Sequence, residues 1–356
     1  MDFSNLIDLG WSNNFQSQLT LDAIESQLPF RVVSVQRNLI ECVGLDRDDQ
    51  QLTLQLSTYH WRNQPPEEHP TVGDWLLVDQ EYKPLRVLER TSLIKRRTAG
   101  RESLVQLIAS NIDTVFIVTS CNDEFNINRI ERFLAIAAET NIHCVVVLTK
   151  IDLCADVSVY TRALSQSRPE LPVEMVNATD LSTLEALDKW IGHGHTVALL
   201  GSSGVGKSTI INSLVGNQEQ ATGSIREADS KGRHTTTSRS LHILPEGGLL
   251  LDSPGMRELQ IVDSEEGIKA TFPEIEALSK DCRFADCSHT SEPGCAVLRG
   301  IEAGMLEQRL LDNYHKLLSE QARNNESLAQ RRSHDRALGR FYKNTLKDSM
   351  KLKSRK

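Results

Sequence analysis

A glycine-rich octapeptide, GSSGVGKS at residues 201–208, restricts the fold of this 356-residue chain more than any other feature. The apolar stretch TVALL runs into the octapeptide and STIINSLV follows, which predicts a strand, a tight loop and a helix. Glycines let the backbone N–H groups of such a loop approach a phosphate, and the N-terminus of the following helix favours an anion. This context predicts a phosphate-binding loop in an α/β domain.

We expect this loop to hold a nucleotide, with Lys207 on the β- and γ-phosphates and the hydroxyl of Ser208 on a magnesium ion. A loop of this kind accepts adenine or guanine, so recognition of the base has to come from another part of the chain. The predicted phosphate-loop residues are Gly201, Ser202, Ser203, Gly204, Val205, Gly206, Lys207, Ser208 and Thr209.

Two further strand ends predict the contacts with the base. VVVLTKID at residues 145–152 indicates a buried strand whose following loop carries Lys150 and Asp152. A carboxylate at Asp152 accepts from the N1 and N2 donors of guanine, and the alkyl stem of Lys150 lies along the base plane. The next strand, PVEMV, leads to Asn177 and Ala178, and we expect the N–H group of Ala178 to face guanine O6. These loops precede the phosphate loop, which is the reverse of the order in Ras-type proteins.

Two switch elements are predicted after the phosphate loop. LLLDSPG ends a strand at Asp252, which is expected to hold magnesium through water, and the N–H group of Gly255 is expected to meet the γ-phosphate. Residues 216–240 are rich in Gly, Ser, Thr and charge and lack an apolar period, which indicates a switch loop. GRHTTT lies within them, so Thr235 or Thr236 is the candidate magnesium ligand.

Met256 follows the second switch at the position where Ras-type enzymes have a glutamine that orients the attacking water. A thioether cannot orient water, so we expect slow hydrolysis by the isolated chain. We predict that His234 positions the water when a partner orders the switch loop. The alternative for His234 is a solvated loop histidine.

Outside these motifs, the chain divides into four predicted parts. Residues 1–28 form an extension, and residues 29–92 contain five short β-like runs that fit a small barrel of the OB-fold type. Residues 93–270 alternate strands and helices, which is typical of parallel α/β structure. Residues 271–356 are cysteine-bearing, then helical, and end in a basic tail. In residues 321–356, eleven Lys and Arg stand against three acids, although the whole chain has a net charge of −8.

Cys282, Cys287, His289 and Cys295 fall within fourteen residues with the spacing C-x4-C-x-H-x5-C. Four soft ligands in one compact loop predict a closed, tetrahedral, structural zinc site. The other cysteines are scattered in strand-like or helical contexts, where a thiol packs as a small apolar group. No apolar run reaches the roughly 18 residues that span a bilayer, and the first residues do not resemble a secretory signal, so we expect a cytoplasmic protein.

The rotated order of TKID, GSSGVGKS, GRHTTT and DSPG, together with the cysteine cluster, resembles the RsgA (YjeQ) family of circularly permuted GTPases that act in small ribosomal subunit biogenesis. This resemblance covers about residues 30–320. It implies an N-terminal OB-fold, a central GTPase domain, a C-terminal zinc domain and binding to the small ribosomal subunit through its rRNA. It also implies turnover that is low alone and stimulated by the subunit, in a protein that we expect to be a monomer. Thr149 departs from the family, because GTPases usually have Asn there, and contacts on the imidazole side of guanine are expected to be weaker.

Three functions remain open from the residues alone. The first is a GTP-hydrolysing assembly factor of the small ribosomal subunit, with GTP or GDP, Mg²⁺ and one structural Zn²⁺ bound. The second is a P-loop kinase or ATPase that acts on a small substrate. The third is an RNA-binding module in which the nucleotide serves only as a structural ligand. Discrimination between GTP and ATP, and turnover stimulated by small subunits, would separate them.

Overall fold

The computed structural model describes residues 3–97, 105–222, 239–244, 247–252, 259, 261 and 264–325. Within these ranges the strands are β1 (Leu28–Val35), β2 (Leu39–Leu45), β3 (Gln51–Ser57), β4 (Trp75–Val78), β5 (Pro84–Val87), β6 (Leu93–Arg97), β7 (Val105–Ser110), β8 (Thr114–Ser120), β9 (His143–Thr149), β10 (Val173–Met175), β11 (Thr196–Leu200), β12 (Arg239–Ile243) and β13 (Leu249–Asp252).

The α-helices in the same ranges are α1 (Asn13–Gln16), α2 (Leu21–Ser26), α3 (Ile127–Ala138), α4 (Ser158–Ser167), α5 (Leu181–Leu184), α6 (Lys207–Thr222), α7 (Glu265–Thr271), α8 (Pro273–Ser279), α9 (Ala296–Glu302) and α10 (Gln308–Asn325). Short 3-10 helices are η1 (Phe3–Leu9), η2 (Thr58–Trp61), η3 (Pro66–Glu68), η4 (Ile151–Leu153) and η5 (Glu185–Trp190). None of the described helices is both long enough and apolar enough to span a bilayer.

The centre of the molecule is a parallel sheet in the order β10-β9-β8-β11-β13. Strands β8, β9, β11 and β13 are apolar on both faces, and alternate side chains of each pack into two separate hydrophobic clusters. In β9, for example, Val146 and Leu148 belong to one cluster and Val145 and Val147 to the other. The predicted α/β class is therefore confirmed. All five strands end at the same edge of the sheet, where the predicted nucleotide-binding loops follow them.

The N-terminal strands form an antiparallel extension of this sheet. The predicted hairpin of β12 and β13 is present, and β12 also pairs with the end of β1. Strand β1 pairs with both β2 and β4, and β3 and β5 follow on the two sides. Five strands thus occur where the sequence predicts them. Among the described strands β5 pairs only with β4, so closure into an OB-type barrel stays a prediction.

The sequence did not predict two features near these strands. Strands β6 and β7 form a separate two-stranded ribbon, at the point where the alternation of strands and helices was expected to begin. Residues 3–26 pack on the N-terminal strands: Trp11 meets Trp75 edge to face, with ring centroids 4.8 Å apart, and Phe15 lies beside both rings. This extension is therefore part of the N-terminal hydrophobic core.

The C-terminal helices pack on α3. The closest approach is at Gly267 in α7, where a Cβ atom would lie 2.1 Å from the carbonyl oxygen of Ala135. Only glycine permits two helices to meet at that distance. Helix α10 also contributes Leu310, Leu311 and Leu317 to the hydrophobic cluster that contains α3. The C-terminal helices and the parallel sheet consequently share one core.

Candidate functional site

The glycine-rich loop connects β11 to α6 and closes over its own lysine. Lys207 Nζ donates to the carbonyl oxygen of Gly201 at 2.7 Å and also to that of Ser202. Gly201, Gly204 and Gly206 have φ angles of 150°, 78° and 103°, which other residues rarely adopt. A Cβ atom at Gly201 would also lie 2.2 Å from Val118 O in β8. The glycines are therefore required by the backbone as well as by the expected ligand.

The outer side of this loop is open to solvent. Among its predicted ligand-binding residues, the exposed ones are Ser203, Gly204, Ser208 and Thr209. Val205 is 1% exposed and packs in the core with Ile210 of α6. Val205 thus anchors the loop to the core, and the exposed polar residues of the loop face the space in which a phosphate would bind.

The predicted base-reading loop lies directly beside the phosphate loop. Thr149, the last residue of β9, is fully buried, and its Oγ1 donates to Val205 O at 2.6 Å. Lys150 follows with a left-handed φ of 58° and caps η4, which contains the exposed Asp152. The hydroxyl of Thr149 thus joins the two loops, which the sequence did not predict. Its weaker contact with the imidazole side of guanine stays a prediction.

The second predicted base loop is held against the helix that follows the phosphate loop. Asn177 Oδ1 accepts from the N–H group of Thr179 at 3.1 Å, which closes a turn after β10. The carbonyl oxygen of Ala178 accepts from Ser213 Oγ in α6 at 2.8 Å. Side-chain hydrogen bonds therefore link both base loops to the loop or helix of the phosphate site.

Asp252 is the one predicted switch residue that the structure describes. It ends β13, which pairs in parallel with β11, and it lies opposite Ser240 of β12. Asp252 is thus at the sheet edge that carries the phosphate loop. His234, Thr235, Thr236 and Gly255 lie outside the described residues.

One polar side chain at this site was not predicted. Arg129, in the first turn of α3, donates from Nη1 to Ser202 Oγ at 2.6 Å. Its helix follows β8, which is the strand between β9 and β11, so it begins at the same edge of the sheet. The start of this helix lies at the site because the ends of parallel strands meet at one edge of the sheet, but no sequence motif marks Arg129 itself.

The four predicted zinc ligands converge. The ligand atoms of Cys282, Cys287, His289 and Cys295 all lie within 4.8 Å of one another. His289 Nδ1 is 3.4 Å from Cys295 Sγ and 3.7 Å from Cys282 Sγ, and the two sulfurs are 3.9 Å apart. A tetrahedral zinc ion with Zn–S of about 2.3 Å and Zn–N of about 2.0 Å needs ligand separations of about 3.5–3.8 Å. The cluster therefore has the dimensions and the donors of a zinc site.

Backbone N–H groups around the cluster favour thiolates. Ala296 N lies 3.3 Å from Cys282 Sγ and Leu298 N lies 3.5 Å from Cys295 Sγ, at the start of α9. Burial raises the pKa of Cys282, but hydrogen bonds from the N–H groups of Ala296 and Val297 and from the neighbouring thiols lower it by more, so the net shift is downward. Burial raises the pKa of Cys287 to about 11. Such close thiols do not all ionise unless a cation compensates their charge.

Comparisons with known proteins agree with the permuted order of the motifs. A family model described as RsgA GTPase matches residues 87–262. The small ribosomal subunit biogenesis GTPase RsgA 2 of Vibrio parahaemolyticus is 46% identical over 346 residues, which cover 97% of this chain and 94% of that protein. The small ribosomal subunit biogenesis GTPase RsgA of Mesorhizobium japonicum is 43% identical over 326 residues, with 90% and 91% covered.

Two crystal structures share the fold. YjeQ from Thermotoga maritima has a TM-score of 0.61 at 24% identity and covers 83% of this chain and 98% of its own. YloQ, described as a circularly permuted GTPase, has a TM-score of 0.60 at 23% identity, with 85% and 97% covered. At these identities the likeness extends to the fold, including the rotated order of its elements.

Proposed function

Because this chain belongs to the RsgA GTPase family, we propose that it is a GTP-hydrolysing switch that binds the small ribosomal subunit and assists its maturation. GTP hydrolysis is the activity that names the family. The small ribosomal subunit is named as the target of the relatives from Vibrio parahaemolyticus and Mesorhizobium japonicum. This chain covers more than nine-tenths of each of them, which supports a shared activity of the whole protein.

The observation that carries the proposal is the hydrogen bond between Thr149 Oγ1 and Val205 O, at 2.6 Å. This bond joins the loop that carries Asp152 to the loop that carries Lys207. A carboxylate for the base and a cation for the phosphates therefore belong to one continuous surface, although the two loops are far apart in the sequence. A single nucleotide with its base on one loop and its phosphates on the other satisfies both.

In the proposed complex each loop makes a distinct contact. Asp152 accepts from N1 and N2 of guanine, Lys150 covers the base plane, and the N–H group of Ala178 donates to O6. Lys207 bonds the β- and γ-phosphates, and Ser208 is a ligand for Mg²⁺. The magnesium ion, when bound, neutralises charge on the phosphates during hydrolysis. Adenine lacks the two donors that Asp152 requires, so ATP is excluded.

The two switch segments are proposed to contact the γ-phosphate and its magnesium ion, and so to differ between the GTP and GDP states. Asp252 holds magnesium through water, Gly255 donates its N–H group to the γ-phosphate, and Thr235 or Thr236 completes the magnesium shell in the triphosphate state. Hydrolysis releases these contacts, so the two switch segments respond to the nucleotide.

Water activation is proposed to depend on the partner. Met256 cannot orient a water molecule, so the isolated chain is slow, and His234 is proposed to do so when the small subunit orders the switch loop. Loss of subunit-stimulated turnover in a His234→Ala variant, with unchanged nucleotide affinity, is the expected result. Full stimulated turnover in that variant would remove His234 from the mechanism.

The contact with the ribosome is proposed to be electrostatic in part. The excess of Lys and Arg in residues 321–356 suits the phosphate backbone of rRNA, and the affinity should therefore fall as salt rises. We further propose a monomer that works in the cytoplasm. The cluster of Cys282, Cys287, His289 and Cys295 is proposed to bind a structural zinc ion, which stabilises a segment too short to form its own core.

An Asp152→Asn variant tests the proposed base contact directly. Asparagine replaces one of the two carboxylate oxygens that accept from guanine by an amide NH₂ group, which faces a guanine donor and cannot accept from it. GTP affinity should therefore fall by roughly 100-fold or more. Xanthine has an oxygen in place of the N2 amino group, so the same variant should bind XTP better than GTP. Wild type should show the opposite order and should bind ATP weakly.

A control variant and two alternative outcomes decide between the proposed function and its competitors. Glu170, an exposed residue of the same domain, provides a charge-matched variant, Glu170→Gln, that should leave all affinities unchanged. Equal binding of GTP and ATP by wild type would contradict the proposal and favour a P-loop kinase or ATPase. Tight GTP binding without turnover, even with small subunits, would favour a module that uses nucleotide only as a structural ligand.

A further inference from the structure

Arg129 contacts the phosphate loop from the side of α3. Its Nη1 lies 2.6 Å from Ser202 Oγ, 3.2 Å from Glu124 Oε2 and 3.4 Å from Glu124 O. The Glu124 carboxylate is about half exposed, with 51% of its side chain open to water. The contact with Ser202 is the shortest of the three, so the guanidinium is directed at the phosphate loop.

Ser202 is held on two sides. Its carbonyl oxygen accepts from Lys207 Nζ, and its hydroxyl accepts from Arg129. The loop also contains Gly201, Gly204 and Gly206, and glycines leave a backbone with many accessible conformations. A loop of this composition needs side-chain anchors to keep its N–H groups directed at a phosphate. A hydrogen bond from a charged donor is among the stronger anchors available.

The helix that carries Arg129 is fixed by the C-terminal helix α10. Asn128, the preceding residue, accepts from Arg309 Nη1 at Oδ1 with a distance of 2.7 Å. Two residues after Arg129, the fully buried Glu131 accepts from Arg309 and from Asn313 Nδ2. Arg129 therefore lies on one helical turn between the phosphate loop and α10.

We propose that Arg129 is a positioning residue for the phosphate loop, and that α10 sets its location through Asn128 and Glu131. Arg129 acts through Ser202 and is not assigned a contact with the reacting atoms. This inference rests on the proposed function, since it takes the phosphates of GTP as the ligand of the loop. It adds to that function a link from the C-terminal helix to nucleotide affinity.

The test is a double-mutant cycle on nucleotide affinity in the full chain, with a fluorescent GDP analogue as the probe. Arg129→Gln and Ser202→Ala should each weaken binding by roughly 10-fold, because each removes one end of a charge-assisted hydrogen bond. The double variant should also be weaker by roughly 10-fold and not by roughly 100-fold, since both changes break the same bond. Arg129→Lys, which keeps the charge and a donor, should restore part of the affinity.

Measurement of KM and kcat in steady-state turnover provides a second test of the positioning role. Loss of an anchor that supports GTP and its transition state equally should raise KM and change kcat by less than about 2-fold. Arg162→Gln, which removes an exposed arginine from α4 of the same domain, should change neither constant. A fall in kcat with unchanged KM would assign Arg129 to the chemical step and overturn the positioning role.

The link to α10 is tested in the same assay. Arg309→Gln should weaken GDP binding by roughly 3-fold in wild type and should have no further effect when Arg129 is already Gln. Additive effects of Arg129 and Ser202, or unchanged affinity in Arg129→Gln while wild type binds GTP, would overturn the inference and leave the proposed function intact. A wild-type chain that does not bind GTP at all would overturn both.

Discussion

The nucleotide-binding sheet is joined to the N-terminal strands and to the C-terminal helices in different ways. On the N-terminal side, β1 pairs with β12, and Nη2 of Arg31 in β1 donates to Asn111 O and Thr196 Oγ1 across the junction. Its Nη1 donates to Leu9 O of the N-terminal extension. On the C-terminal side, Leu310, Leu311 and Leu317 of α10 share the hydrophobic core of α3, and charged side chains gather around the buried Glu131 of α3. Both junctions thus contain a buried charge. It is a cation without an ion pair among the described residues on the N-terminal side, and an anion within a network of ion pairs on the C-terminal side.

Arg31 is a buried cation without an ion pair among the described residues. It is 1% exposed, and burial lowers its pKa to about 10, although Asp113 and Asp74 raise it in part. Its Nε has no hydrogen-bond partner within the described ranges. The guanidinium is therefore stabilised mainly by three neutral oxygen atoms, and its desolvation opposes them.

Glu131 is a buried anion with several donors. Its partners are Arg168 Nη2 at 3.2 Å, Arg309 Nη1 at 3.1 Å and Asn313 Nδ2 at 2.5 Å. Arg168 is 3% exposed and is also 3.4 Å from Glu274 of α8. Glu131 and Arg168 are the two fully buried charges of this network, so removing Glu131 takes from Arg168 its closest anion.

The difference indicates what each junction would lose if it opened. Separating β1 from β12 would break two backbone pairings and the hydrogen bonds of the buried Arg31. Separating α10 from α3 would break the contacts of Arg309 and Asn313 with Glu131 and would expose the apolar side chains that α10 adds to the core. The C-terminal junction is therefore the one whose stability depends on charge compensation.

Metal removal should produce the largest contrast between the two sides. A strong chelator should increase amide hydrogen exchange in residues 282–306 by several orders of magnitude, because structural zinc contributes about 10 kcal/mol or more to folding in comparable loops. Exchange in β1, β2 and β4 should not change. Equal protection of residues 282–306 with and without chelator would contradict the structural zinc site.

The next largest effect is expected for Glu131→Gln. The amide fills the same space but leaves the buried Arg168 with the half-exposed Glu274 as its remaining anion, so the free energy of unfolding should fall by about 3 kcal/mol in urea titrations. Glu170→Gln, at an exposed site, should change it by less than about 0.5 kcal/mol. A loss of under about 1 kcal/mol at Glu131 would show that the network is not a buried ion-pair system.

Arg31→Met should be less destabilising, by about 2 kcal/mol. Three acceptors lose a donor, but the variant also removes a desolvated charge that opposes folding. Arg37→Met in the exposed turn after β1 is the matched control and should be neutral. If Arg31→Met proved more destabilising than Glu131→Gln, the contrast between the two junctions would be inverted.

The smallest effect is a pH dependence at the end of α10. Arg132 donates to Glu320 at 2.7 Å and to Leu259 O at 2.5 Å, close after the second switch. Burial raises the pKa of Glu320, but the hydrogen bond and charge of Arg132 lower it by a larger amount. The pKa of Glu320 in the folded protein is therefore below its ordinary value of 4.5. The stability from this pair is thus complete above pH 4.5 and is lost as pH falls through the lower, folded-state pKa.

Urea titrations of wild type and Glu320→Gln at a series of pH values test this assignment. The variant should be less stable than wild type near neutral pH, and the difference should shrink below about pH 4.5 as Glu320 becomes protonated. A difference that stays constant down to about pH 3 would mean that the carboxylate charge of Glu320 does not hold α10.

The sequence predicted those parts of the molecule that depend on short-range chemistry. The glycines of residues 201–208, the TKID tetrapeptide and the cysteine spacing are all local patterns, and strand ends of a parallel sheet meet by geometry. Arg129 was missed because its role depends on Ser202, which is 73 residues away. The hydrogen bond of Thr149 was missed for the same reason, since its partner is Val205 O in another loop.

The ribbon of β6 and β7 and the packing of residues 3–26 were missed for other reasons. Strand β6 reads LIKRR, and its charges conceal the alternation that indicates a strand. Phe15 lies in the short helix α1 and Trp11 lies just before it, and the contact of both rings with Trp75 is tertiary packing. Neither feature has a signature in a single sequence.

The central claim is that Asp152 and Lys207 hold opposite ends of one guanine nucleotide. A crystal structure of the chain with GDP and magnesium tests it most directly. We expect the Asp152 carboxylate within hydrogen-bond distance of guanine N1 and N2, and Lys207 Nζ at the β-phosphate of the same molecule. GDP bound at the phosphate loop with its base directed away from Asp152 would contradict it.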